Sequence, residues 1–185
     1  MRLILASASP RRKTLLSAAG LHFEVIESGV DETRREGEPA ADYALRMAEA
    51  KAQRVSTVHR DALVLGADTI VVLDAEILLK PADPADAHRT LRALSARTHT
   101  VITAFALAVA GEIAEASAVP ARVTFRTLSD SEIDAYIATG EPFDKAGAYG
   151  IQGAGADFIR AVDGARDTVM GLPVLEVLDA LRRQH

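Results

Sequence analysis

The chain of 185 residues contains no cysteine. That absence removes disulfides, thiolate nucleophiles and cysteine-ligated zinc from consideration, and it fits a reducing compartment. Long hydrophobic runs are missing too, since none approaches the roughly 20 apolar residues of a membrane span. The opening residues, Met1-Arg2-Leu3-Ile4-Leu5-Ala6-Ser7, offer few apolar positions before Ser9, Pro10 and three cations. They lack a signal-peptide core, so the expected location is the cytoplasm. No GxxxxGKS/T phosphate loop, HExxH zinc helix or GxSxG nucleophile elbow occurs. His22, His59, His88, His99 and His185 show no metal-ligand spacing and read as surface or packing residues. Positive charge is also in deficit: a formal net charge of -5 argues against a nucleic-acid polymer as partner. Any anionic ligand must therefore be met by a local cluster of cations.

What is present fits a single domain, residues 1–185, with room for two lobes. Apolar runs at Leu3 to Leu5, Phe23 to Ile26, Leu63 to Leu65, Ile70 to Leu73, Val101 to Val109, Ala121 to Phe125 and Phe158 to Val162 predict strands. Helices are predicted between them. The first has Ser9 as its cap, Pro10 in its first turn and Gly20 as its stop; another spans about Ala40 to Val58, and a third begins at Asp83-Pro84 and runs to Leu94. Ser129 and Glu132 form a capping-box pattern before a fourth helix closed by Gly140, and Pro173 opens a last one. A hairpin is expected around Gly111. The interleaving predicts an α/β fold, a mixed sheet with helices on both faces.

Three segments carry candidate chemistry. In Leu5-Ala6-Ser7-Ala8-Ser9-Pro10-Arg11-Arg12-Lys13 a strand runs into a helix whose first turn bears three cations. The dipole and free N–H groups at a helix start favour negative charge, so either a phosphate uses these cations or they fan into solvent. In Leu65-Gly66-Ala67-Asp68-Thr69 an apolar strand is expected to end in a carboxylate followed by a hydroxyl. Strand ends are where open α/β sheets place ligands. Asp68 could hold a divalent cation, take a proton from an attacking water, do both, or merely bond its own backbone in a turn. Asp144-Lys145-Ala146-Gly147-Ala148-Tyr149-Gly150-Ile151-Gln152-Gly153 is a glycine-punctuated loop. Its Gln152 amide has both donor and acceptor and could read the edge of a base, although such loops also serve as plain turns. Asp31 and Glu32, Lys51, and Lys80 before Pro81 add the mixture of carboxylates and cations that triphosphate chemistry needs.

Taken together, LASASPRR, the Asp31-Glu32 pair, EAKA around Lys51, LGADTIV, KPAD, LSARTHTVIT, EIDAYIATGEPFDKAGAYGIQG and VMGLP resemble the Maf nucleotide pyrophosphatases in order and spacing from Leu5 to Pro173. The resemblance implies a long mixed sheet dividing two lobes around a cleft, similar to inosine triphosphate pyrophosphatases. It also implies a divalent cation, Mg2+ or Mn2+, and a homodimer. Asp68 then corresponds to the catalytic proton acceptor, and Arg11, Thr69 and Gln152 to positions associated with substrate selectivity. Ser7, Ser9, Arg12, Lys51 and Lys80 join the substrate-binding set, and Glu32 with Asp68 forms the metal set. The DKAGAYGIQG form resembles the branch acting on dTTP and UTP, as distinct from that acting on 7-methyl-GTP. The expected activity is hydrolysis of dTTP and UTP to the monophosphate and diphosphate, with modified nucleotides as further house-cleaning substrates. The alternatives are a preference for 7-methyl-GTP and a regulatory nucleotide-binding protein linked to septum formation. The chain departs from the family pattern at Ala96, where LSGR is usual, and at Leu79, where glycine is common.

Overall fold

The computed structural model describes residues 2–184. The chain opens with β1 (Arg2–Leu5), after which the Ser9 hydroxyl accepts from the Arg12 amide and caps α1 (Pro10–Ala18). Pro10 sits in the first turn, where its missing N–H costs nothing. Then come β2 (Glu24–Val25), α2 (Ala40–Ser56), β3 (Ala62–Leu73), β4 (Glu76–Leu78), α3 (Pro84–Leu94), β5 (Thr98–Val109) and β6 (Glu112–Phe125). In α4 (Asp130–Ala138), Ser129 and Glu132 form the reciprocal capping box expected of their spacing. Three 3-10 turns, at Glu141–Asp144, Ala146–Ala148 and Gly153–Phe158, precede β7 (Ile159–Asp163), α5 (Arg166–Met170) and α6 (Val174–Arg183).

The strands form a seven-stranded mixed sheet in the order β2-β1-β3-β5-β6-β7, with β4 paired to β3. β1 lies parallel to β3 with Leu5 opposite Leu65, while β7 runs antiparallel to β6. Between β5 and β6, Ala110 and Gly111 have φ of 53° and 93°, the two positive values of a tight hairpin turn.

One expectation is corrected. β3 does not end at Asp68 but runs through it to Leu73 as a single strand. Gly66 and Asp68 look like strand terminators in isolation, yet the β-branched run Ile70-Val71-Val72 continues the pleat, and β4 pairs with its far end.

The chain divides into two compact units. The first comprises Met1–Thr69, Thr103–Val119 and Gly171–His185. Its core joins Leu5, Leu63, Leu65, Ala67, Phe105 and Leu107 of the strands to Leu16 of α1 and to Val177, Ala180 and Leu181 of α6. Side chains alternate along a strand, so Gly66 and Asp68 point away from that core. There they meet α2, whose Ala44, Ala48 and Ala52 are fully buried at helical spacing. The second unit comprises Ile70–Ile102 and Pro120–Met170. It packs Leu91 and Leu94 of α3 and Ile133 and Tyr136 of α4 with Val123, Phe125, Tyr149 and Phe158. Here Ala96, where the resemblance leads to an expected glycine, has φ 58°, a left-handed conformation that glycine adopts without steric cost.

Candidate active site

Continuity of β3 is what builds the site of the first unit. Successive residues face opposite sides, so Asp68 is directed to α2 and Thr69 to α1. Against α2 the approach is unusually close: a Cβ on Gly66 would lie 2.2 Å from the Ala48 carbonyl oxygen and 2.6 Å from the Ala52 nitrogen. Helix backbone thus rests directly on strand backbone, which sets Lys51, itself buried, beside Asp68. Lys51 Nζ donates to Asp68 Oδ1 at 2.6 Å and lies 2.7 Å from Glu32 Oε1. Glu32 sits on an exposed loop held by α2, because the Tyr43 hydroxyl donates to the Glu32 carbonyl at 2.8 Å. Arg46 anchors the same loop, bonding both Glu38 carboxylate oxygens at 2.6 Å and the Thr33 carbonyl at 3.2 Å.

On the α1 side the guanidinium of Arg12 is buried and makes three hydrogen bonds. Nε donates to the Gly171 carbonyl at 2.8 Å, one terminal nitrogen to Ser7 Oγ at 3.0 Å and the other to Thr69 Oγ1 at 3.0 Å. An arginine has five N–H donors, so among the described residues two are left without an acceptor. Burial lowers the Arg12 pKa and Asp68 opposes that shift, but an arginine remains charged throughout the physiological range. Thr69 Oγ1 lies 2.9 Å from Thr103 Oγ1.

The expected residues therefore separate into groups. Ser7, Ser9, Arg12, Glu32, Lys51, Asp68 and Thr69 are gathered in the first unit, with Arg11 partly buried next to Arg12. Ser9 serves α1 as its cap. Lys80 and Gln152 belong to the second unit, both exposed, Lys80 in the segment after β4 and Gln152 beside the last 3-10 turn. Sequence reasoning missed Thr103, Gly171, Tyr43 and Arg46. A lone threonine inside the apolar Val101–Val109 run was a legible signal for Thr103; nothing local marks a carbonyl such as that of Gly171.

Among the described residues no group of three or more His, Cys, Asp or Glu is placed to hold a metal ion. Glu32 and Asp68 are the carboxylates that could hold a hard dication of the Mg2+ type, which is commonly held by one or two carboxylates and completed by substrate phosphates. Also among the described residues, no helix is long and apolar enough to cross a membrane.

Two carboxylates bridged by a buried lysine, with a buried arginine across the strand, define an α/β protein equipped for a polyanionic ligand. Residues 2–184 match the Maf-like protein family, and the chain belongs to it. It is 51% identical over 180 residues to the dTTP/UTP pyrophosphatase of Salmonella typhimurium, covering 97% of this chain and 91% of the relative. It is also 51% identical over 184 residues to the dTTP/UTP pyrophosphatase of Geotalea uraniireducens, covering 98% and 94%. The solved structure of a HAM1 protein from Coxiella burnetii superimposes over 100% of both chains with a TM-score of 0.55 at 14% identity, a likeness of fold alone.

Proposed function

We propose that this chain hydrolyses dTTP and UTP to the nucleoside monophosphate and pyrophosphate. The observation that carries the reading is the Asp68–Lys51–Glu32 cluster at 2.6 and 2.7 Å, beside an arginine with unspent donors. Support for the substrate class comes from the relatives' names and from their near-complete coverage of this chain. Water attacks the α-phosphorus, the bond from that phosphorus to the bridging oxygen breaks, and pyrophosphate leaves. Asp68 takes the proton. Among the described residues only its Oδ1 is engaged, by Lys51, so Oδ2 is the atom that receives it. Lys51 and Arg12 stabilise charge developing on the phosphoryl oxygens; the bond of Lys51 to Asp68 and those of Arg12 to Ser7, Thr69 and the Gly171 carbonyl fix them before substrate arrives. Glu32 and Asp68 would hold a divalent cation, Mg2+ or Mn2+, whose contribution is neutralisation of the triphosphate. Thr69, Arg11, Lys80 and Gln152 contribute to holding or selecting the nucleotide. The same proposal places the protein in the cytoplasm as a homodimer, without a nucleic-acid polymer as partner.

The test is to incubate the purified protein with dTTP, UTP, CTP, 7-methyl-GTP and ITP, each with Mg2+ or Mn2+, and to identify products by chromatography with a pyrophosphate assay. Conversion of dTTP and UTP to monophosphate and pyrophosphate is expected. Turnover confined to 7-methyl-GTP would overturn the substrate assignment, and binding without pyrophosphate release would leave a regulatory nucleotide-binding protein.

A further inference from the structure

The second unit contains a carboxylate, within the segment that carries the family resemblance, to which neither the chemistry above nor that resemblance assigns a role. Glu141 stands at the start of the first 3-10 turn, just after α4, and its side chain turns back over the residues that follow Gln152. Its Oε2 accepts from the Ala154 amide at 3.1 Å, and its Oε1 accepts from the Tyr136 hydroxyl at 3.0 Å and the Gly155 amide at 3.4 Å. The carboxylate lies so close to Gly153 that a Cβ there would stand 2.7 Å from Oε2. Gly153 also has φ 75°, so the position excludes a side chain twice over. Gly155 is wedged as tightly, since its Cβ would meet the Gly150 carbonyl and the Tyr136 hydroxyl, each at 2.7 Å.

The other flank of Gln152 is tied down separately. Tyr149 is buried and its hydroxyl lies 2.7 Å from His99 Nε2. Edge-to-face rings link Tyr149 to Phe125 at 4.7 Å, Phe125 to Phe158 at 5.9 Å and Phe158 to Tyr136 at 4.9 Å. The Tyr136 phenol, its pKa raised by burial and then by Glu141, stays protonated and able to donate. Between these two anchored flanks Gln152 is exposed, and its amide makes no hydrogen bond among the described residues. An exposed amide on an anchored backbone is suited to selecting a ligand edge, because little backbone freedom is left to lose on binding. A carboxylate accepting two backbone N–H groups and a phenol is a strong anchor, since charged acceptors make the stronger hydrogen bonds.

We propose that Glu141 is a positioning residue for nucleotide selection, holding the Gly153 to Gly155 backbone so that the Gln152 amide is presented to the base. This rests on the reading of Gln152 as the residue that meets the pyrimidine. Three variants, Glu141→Ala, Glu141→Gln and Gln152→Ala, are compared with the parent in kcat and KM for dTTP and for CTP, and in amide hydrogen exchange at Ala154 and Gly155. Glu141→Ala is expected to lower the dTTP-over-CTP ratio of kcat/KM about tenfold, the size of one or two lost hydrogen bonds. The loss should fall mainly on KM, with faster exchange at Ala154 and Gly155. Glu141→Gln keeps one acceptor and should fall between. Gln152→Ala should lose the same discrimination without faster exchange, and a fourth protein combining Glu141→Ala with Gln152→Ala should lose little more.

The two ideas fail in different ways. If Gln152→Ala alters the ratio while Glu141→Ala alters neither ratio nor exchange, the positioning role is wrong and the base-reading role stands. If Gln152→Ala leaves the ratio unchanged, the base-reading role is wrong and the inference falls with it. A Glu141→Ala loss confined to kcat, equal for both nucleotides, would also overturn it by assigning Glu141 a general effect.

Discussion

Arg11, Arg12 and Lys13 are neighbours of the same charge, and nothing in their order says which one serves the site. Burial separates them: Lys13 is exposed, Arg11 partly so, and Arg12 lies inside with Ser7, Thr69 and the Gly171 carbonyl as acceptors. Asp68 is distinguished in the same way, by the Lys51 ammonium on its Oδ1. Replacing Asp68 with Asn keeps the shape and a carbonyl acceptor for Lys51 but removes the proton acceptor. Turnover is then expected to fall at least a hundredfold, within the range of about 10² to 10⁴ for a general base, while the circular dichroism spectrum is retained. Near-parental kcat in a folded Asp68→Asn protein would end its assignment as the base. Ala96 permits an opposite kind of test. Its φ of 58° costs an L-residue energy that glycine does not incur, so Ala96→Gly is expected to stabilise. Part of that gain is offset by the freer unfolded chain, leaving under about 1 kcal/mol and a melting temperature higher by about 2 °C. A lowered melting temperature would show that this turn gains nothing from glycine.

At the scale of elements, the sequence was most legible where side chains act on their own backbone. The Ser9 cap of α1 and the Ser129–Glu132 box of α4 follow from local spacing and formed as expected. β3 was less legible, because Gly66 and Asp68 imitate a strand end and only the packing of α2 and the pairing with β4 reveal continuity. β4 and α5, of 3 and 5 residues, are too short to leave a period in the sequence. Of the candidate site, the residue types were visible. Their convergence was not, since it depends on strand alternation sending Asp68 and Thr69 to different helices. Gly66 is the pivot of that arrangement. A Gly66→Ala methyl would overlap the Ala48 carbonyl at 2.2 Å, so α2 must move away from β3 and carry Lys51 with it. Overpacking of this kind costs roughly 1–3 kcal/mol. Urea denaturation is expected to show that loss, and activity should fall further than the residual fraction folded explains. A variant equally active per folded molecule would mean that the close helix–strand contact does not set the position of Lys51.

At the scale of the whole molecule, each unit has its own core, yet neither is contiguous in sequence: β3, β5 and β6 each run through a boundary between the units. A single cooperative unfolding transition is therefore expected, and a buried group in one unit should affect the stability of the entire chain. His99 is such a group. It is 2% exposed, and its ring packs edge-on against Phe125 and Tyr149. Its Nε2 is bonded to the Tyr149 hydroxyl, and its Nδ1 has no partner among the described residues. Burial pushes its pKa down from 6.5 to about 4. The sign follows from proton binding. Above pH 6.5 neither state is mostly protonated, so the stability is fully present. As pH falls from about 6.5 towards 4, the unfolded chain takes up a proton that the folded chain refuses, and stability is lost. The total is on the order of 3 kcal/mol, at about 1.4 kcal/mol per pKa unit. Glu38 and Glu132 are held down to about 2, the first by the Arg46 side chain and the second by the Ser129 backbone amide. Both ordinarily titrate near 4.5, so the stability they confer disappears mainly below that pH, leaving the upper part of the His99 window clear. Urea denaturation followed by circular dichroism at pH 7, 6 and 5 should show falling stability in the parent and a flatter dependence in His99→Asn, which keeps an amide for Tyr149. Equal slopes for the two proteins would mean that His99 accepts its proton inside the fold. Two separate transitions would show that the units unfold independently despite their shared strands.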